Sequence, residues 1–134
     1  MRRLAIPTLL LGILTCVGCS DRAYVQGRVT RTDGSPVVKA RVIARSADTG
    51  TSAHGLTDES GDYALGVMEK GDGLPPGEYT VVIVEDLGEF ESPKPATVHP
   101  NYRHPTTSGL SLTLEPREKR AFDLELKLPP GRSN

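Results

Sequence analysis

The chain has 134 residues, 37% of them hydrophobic, with 14 Gly, 11 Pro, 4 Tyr, 2 Phe and no Trp. That length carries a single core and excludes a two-domain enzyme built around an interdomain cleft. A formal net charge of -1 gives no electrostatic reason to expect a nucleic-acid partner.

The chain opens with a short cationic start, Met1-Arg2-Arg3, followed by an apolar run of about 14 residues over 4–17. Such a run is shorter than the roughly 20 residues needed to span a bilayer. It ends in Val17-Gly18-Cys19-Ser20, a small residue before a cysteine, which resembles the lipobox of bacterial lipoproteins, with Cys16 standing where Leu is usual. The resemblance implies a signal peptide over 1–18, cleavage before Cys19, lipidation of Cys19 and a tether over 19–23. An ordinary cleaved signal peptide is the alternative, while Pro7 and Gly12 disfavour a buried core helix. Removing Arg2 and Arg3 leaves 14 basic against 17 acidic residues, a net charge of -3. With Cys16 lost and Cys19 lipidated, the domain would have neither a disulfide nor a thiol nucleophile.

From residue 24 the pattern has period two. In 24–30, Val25, Gly27 and Val29 share one face and polar residues the other, which predicts a half-buried strand. Asp33-Gly34 predicts a hairpin turn. A second strand is predicted over 40–45 with Arg41 and Arg45 outward, a weaker third over 53–57, and a short fourth over 63–67 after the turn around Asp58 and Gly61. The strongest strand is expected over 79–85, with Tyr79, Val81 and Ile83 on one face. Two late strands follow, 109–115 with Leu110, Leu112 and Leu114 inward, and 121–128 with Phe122, Leu124, Leu126 and Leu128 inward. Seven short strands between regular turns predict an all-β sandwich over 24–128, with a tail over 129–134.

Residues 86–108 form an aperiodic stretch of about 23 residues with four prolines. Loops of that length in a compact domain are usually functional or disordered. Phe90, Tyr102, Arg103 and His104 are its candidate binding residues, although Tyr102 between prolines is also placed to dock back on the sandwich.

Val25-Gln26-Gly27-Arg28-Val29, Asp33-Gly34-Ser35-Pro36-Val37, Ala40-Arg41-Val42, Thr57-Asp58-Glu59-Ser60-Gly61-Asp62-Tyr63 and Leu74-Pro75-Pro76-Gly77-Glu78-Tyr79-Thr80-Val81 occur in that order. Together they resemble the carboxypeptidase regulatory-like domain. The resemblance implies a seven-stranded, transthyretin-like (prealbumin-like) Greek-key sandwich. The stretch from Tyr102 to Leu110 and Phe122-Asp123-Leu124 are similar to small lipoproteins abundant in planctomycete bacteria, which implies a lipid-anchored place in the bacterial cell envelope.

Catalytic groupings are sparse. His99 and His104 are the metal-ligand candidates, with Asp58, Asp62 or Glu91 as a third ligand, but their spacing of five follows neither helix nor strand, and Pro100 and Pro105 argue against a helix there. The acidic stretches 58–62 and 69–73 lack the spacing of a calcium-binding hand. There is no nucleophile elbow, phosphate loop or dinucleotide fingerprint. Arg117-Glu118-Lys119-Arg120 is expected in a hairpin turn that protects a sheet edge. The expectation is a non-catalytic, lipid-anchored envelope module without cofactor, binding an envelope protein or a glycan through 86–108 or an open sheet face. A metal-dependent enzyme or carrier using His99 and His104, and a carbohydrate-binding module, are the alternatives.

Overall fold

The structure is a computed structural model that describes residues 21–88, 92 and 94–131. The expected signal peptide, Cys19, Phe90 and Glu91 lie outside the described residues. Eight strands form two sheets: β1 (Tyr24–Arg31), β2 (Ala40–Arg45), β3 (Ser52–Leu56), β4 (Asp62–Ala64), β5 (Gly77–Glu85), β6 (Leu110–Leu114), β7 (Lys119–Ala121) and β8 (Leu124–Leu126). In the first sheet β1 is central, antiparallel to β4 and parallel to both β7 and β8. The second sheet is antiparallel, in the order β3-β2-β5-β6.

Alternation decides which side chains are inward. Val25 and Val29 of β1, Tyr63 of β4, and Leu124 and Leu126 of β8 are buried beneath the first sheet. Ala40, Val42 and Ala44 of β2, Tyr79, Val81 and Ile83 of β5, and Leu112 and Leu114 of β6 meet them from the second. Each fully buried Val, Leu or Ile contributes roughly 1.5–3 kcal/mol relative to exposure. Leu65, Leu74, Val37 and Val98 fill the ends of this layer from connecting segments. The architecture is therefore the all-β sandwich that the sequence pattern predicts.

Three local expectations need correction. The last predicted strand, 121–128, is two strands, and β7 starts earlier, at Lys119. The ladder to β1 breaks because the Arg28 backbone N–H donates to Asp123 Oδ1 at 2.9 Å, a side chain taking the place of a carbonyl. The break also needs Gly27, since a Cβ there would stand 2.1 Å from the Phe122 carbonyl oxygen. Among the described residues the count is thus eight strands and not seven.

Second, neither predicted hairpin joins neighbouring strands. Asp33-Gly34 turns the chain back on the end of β1, with Gly34 at φ 88°, the Gly34 N–H donating to the Arg31 carbonyl and a bridge between Thr30 and Pro36, before the chain changes sheets. Arg117 to Arg120 likewise carries the chain from β6 in the second sheet to β7 in the first, with Arg117 at φ 62°. Third, Pro100 opens a one-turn 3₁₀ helix, Pro100–Arg103, instead of excluding helical backbone. Proline lacks only an N–H that the first position of a helix leaves unpaired anyway.

Candidate functional site

At the end of the sandwich where β1 finishes, the second half of 86–108 is tied down. The Glu85 carboxylate accepts from the Thr97 N–H at 3.0 Å, from the Val98 N–H and from the Thr97 hydroxyl. Arg31 reaches the same residue, donating through Nη2 to Thr97 Oγ1 at 2.6 Å, and also donates to the Pro36 carbonyl at 2.7 Å. The His99 N–H donates to the Lys127 carbonyl, and the Lys127 N–H donates to the Tyr102 hydroxyl at 3.0 Å. Tyr102 is only 9% exposed, so its ring docks on the sandwich and its hydroxyl serves a backbone group. Arg103 and His104 stand exposed beside it. Of the four loop candidates, the structure thus turns one inward, leaves two outward, and Phe90 is outside the described residues.

The two histidines are not brought together as ligands. His99 Nδ1 accepts the Asn101 N–H at 3.2 Å and caps the 3₁₀ turn, while His104 closes its other end. Among the described residues no three His, Cys, Asp or Glu side chains converge on a point that suits a metal. The acidic turns use their oxygens locally. Asp58 Oδ1 accepts the Ser60 and Asp62 N–H groups at 2.9 Å each, with Gly61 at φ 81° completing the turn. The Asp72 carboxylate accepts the Val67, Met68 and Glu69 N–H groups. Partial desolvation opposes its ionisation, but these three donors and Arg22 outweigh it and hold its pKa below the ordinary value.

The outward faces of the two sheets differ in chemistry. On the second sheet, Arg41 lies between Leu56 and Val84, Ile43 between His54 and Val82, and Arg45 between Ser52 and Thr80. Ile43, Val82 and Val84 are half-buried, whereas Leu56 is 60% exposed. Two open hollows adjoin at Arg41 and Leu56. One, of about 440 Å³, is lined by Lys39, Val84, Glu85 and Asp86, and the other, of about 290 Å³, by His54, Val67 and Met68. Met68 is 83% exposed. An aliphatic strip with Arg41 inside it thus faces solvent where the alternation of a half-buried strand would ordinarily place polar groups.

On the first sheet the outward residues of β1 are Tyr24, Gln26 and Arg28, flanked by Asp62 and Ala64 of β4 and Ala121 of β7. Behind this face, the Tyr63 hydroxyl donates to the Phe122 carbonyl. Burial, with a smaller effect from Asp123, pushes its pKa well above the ordinary tyrosine value. Arg28 Nε donates to Asp62 Oδ1 at 2.9 Å on the exposed side. The sequence pattern offers an open sheet face as a binding surface without naming its residues: Leu56 falls in the weaker third predicted strand, 53–57, and Met68 just beyond the short fourth, 63–67.

Residues 24–127 match the model of the carboxypeptidase regulatory-like domain, and the chain belongs to that family, whose fold is a transthyretin-like β-sandwich. No curated protein matches the chain.

Proposed function

We propose that the protein is a non-catalytic binding module, held at a membrane of the bacterial cell envelope by a lipid on Cys19, that engages an envelope protein through the outward face of its second sheet. The observation that carries the binding reading is the aliphatic strip in which exposed Leu56 and Met68 stand beside half-buried Ile43, Val82 and Val84, because apolar side chains grouped at a solvent-facing surface mark an interaction surface. Arg41 within the strip and Arg45 beyond its end, between Ser52 and Thr80, supply the charged anchors that protein interfaces favour. The anchoring reading is supported by the lipobox-like sequence at 17–20 and by the similarity of the stretches around Tyr102 and Phe122 to small planctomycete lipoproteins. A single acyl chain binds a membrane only marginally, whereas two or more anchor it stably, so multiple acylation at Cys19 would suffice without a spanning helix.

Labelling of cells with a palmitate analogue tests the anchor. The wild-type chain is expected to take up label and to sediment with membranes, and Cys19→Ala to lose both; unchanged labelling of the variant contradicts the reading. A photo-reactive amino acid at position 56 tests the face, with a discrete adduct to one envelope protein expected and its absence contradicting the assignment.

A further inference from the structure

The outward face of the first sheet carries two adjoining hollows of about 500 and 430 Å³ that share Gln26 and Ala121. Their floor is made of short side chains, Ala64 and Ala121, with the backbone of Gly27 and Gly71. Tyr24, 45% exposed, stands at one end beside Lys119, and Arg28 with Asp62 and Asp123 stands at the other. The result is a shallow trough along β1, about 13 Å from Tyr24 to Arg28 at roughly 3.3 Å per strand residue, long enough for roughly a trisaccharide.

We infer that this trough binds an extended oligosaccharide, one ring stacked on Tyr24 and the others hydrogen-bonded by Gln26, Lys119, Arg28 and Asp123. Among the described residues the Tyr24 hydroxyl, the Gln26 amide, the Lys119 ammonium and the terminal guanidinium nitrogens of Arg28 have no hydrogen-bond partner. Asp123 uses only Oδ1, on the Arg28 N–H. The trough therefore presents unpaired donors and acceptors alternating over a short distance, which suits a ligand whose hydroxyls both donate and accept. A flat, partly exposed aromatic ring offers its face to the C–H groups of a sugar. An extended peptide fits less well, because strand addition needs a bare sheet edge, whereas here the floor is the face of a central strand whose backbone is already paired on both sides. The inference is independent of the lipid anchor and of the partner on the second sheet.

Isothermal titration of the purified full-length chain with cellohexaose, chitohexaose, xylohexaose and maltohexaose tests it. At least one is expected to bind with a Kd of about 1 mM or tighter. Tyr24→Ala and Gln26→Ala are each expected to weaken it about tenfold, and Ser111→Ala, at an exposed position of β6 in the second sheet, to leave it unchanged, with all three variants melting as the wild type does. Absence of binding by all four sugars, equal binding by wild type, Tyr24→Ala and Gln26→Ala, or saturation by a Ser-Thr hexapeptide in place of any sugar overturns the inference.

Discussion

On the first sheet the outward positions are Tyr24, Gln26, Arg28, Ala64 and Ala121; on the second they are Arg41, Ile43, Leu56, Val82 and Val84. The same period-two alternation produces both, yet one face is a polar trough and the other an aliphatic strip. The difference originates in how each sheet is closed. The second is a regular antiparallel ladder, so its outward surface is simply what the alternating residues present. The first is closed by parallel strands from the end of the chain, and it accommodates a break at Phe122-Asp123 only because Gly27 has no side chain. That break brings Asp123 to the trough, so the shape of the polar face depends on Gly27, whereas the hollow beside Leu56 and Met68 depends on Gly55 and Gly66, where a Cβ would run into the Ala64 and Glu69 carbonyl oxygens.

Gly27→Val is expected to separate the two most sharply. With its Cβ 2.1 Å from the Phe122 carbonyl oxygen, β7 and β8 must shift off β1, and the loss belongs with the exceptional substitutions above about 4 kcal/mol, measured by urea unfolding. Amide exchange should rise first in β7 and β8 and last in β2 and β5. Leu126→Ala, at a fully buried position of β8, is expected to cost about 2–5 kcal/mol while leaving the second sheet's exchange pattern intact.

Tyr63→Phe removes the hydroxyl that holds the Phe122 carbonyl and leaves that acceptor without its side-chain donor, a loss of about 1–3 kcal/mol by chemical unfolding. Its pH dependence has a definite sign. The folded state raises the Tyr63 pKa above its ordinary value of 10.0, so the associated stability is complete below that value and declines as pH rises above it towards the raised folded-state pKa. Wild-type stability should therefore fall in alkali more steeply than that of Tyr63→Phe, with Tyr79, raised by burial as well, contributing the same fall to both. On the acid side the Arg28 hydrogen bond holds the Asp62 carboxyl below its usual 3.8, so its contribution is present above that value and is lost as pH falls through the lowered one. Both groups are exposed, and Arg28→Ala should flatten this acid limb only slightly. Smallest is Leu56→Asp, whose effect on stability should lie within about 0.5 kcal/mol while its effect on partner binding is large.

Much of this fold was legible along the chain. β1, β2, β5 and β6 fall within two residues of where alternation predicts them, and the Asp58 and Gly61 turn has the geometry its residues require. What alternation could not reveal was long-range pairing. Parallel pairing of the chain's last strands with its first joins residues about 95 apart, and the replacement of a ladder acceptor by the Asp123 side chain leaves no mark in a hydrophobic pattern. The same limit hid which sheet face and which residues the proposed binding surface would use. Residues 86–108 looked the freest segment, but Glu85, Arg31 and Lys127, all outside it, anchor its second half. Leu56 looked inconspicuous until register placed it in a row with Arg41 and Val84.

The most direct test of the proposal that the two outward faces do different work is photo-crosslinking in intact cells, with the reactive residue placed in turn at positions 56, 68 and 24 of the full-length chain. The same envelope protein should be captured from 56 and 68, not from 24, and the adduct should disappear when Cys19 is replaced by Ala. Equal capture from all three positions, or none from 56 and 68, would contradict the account.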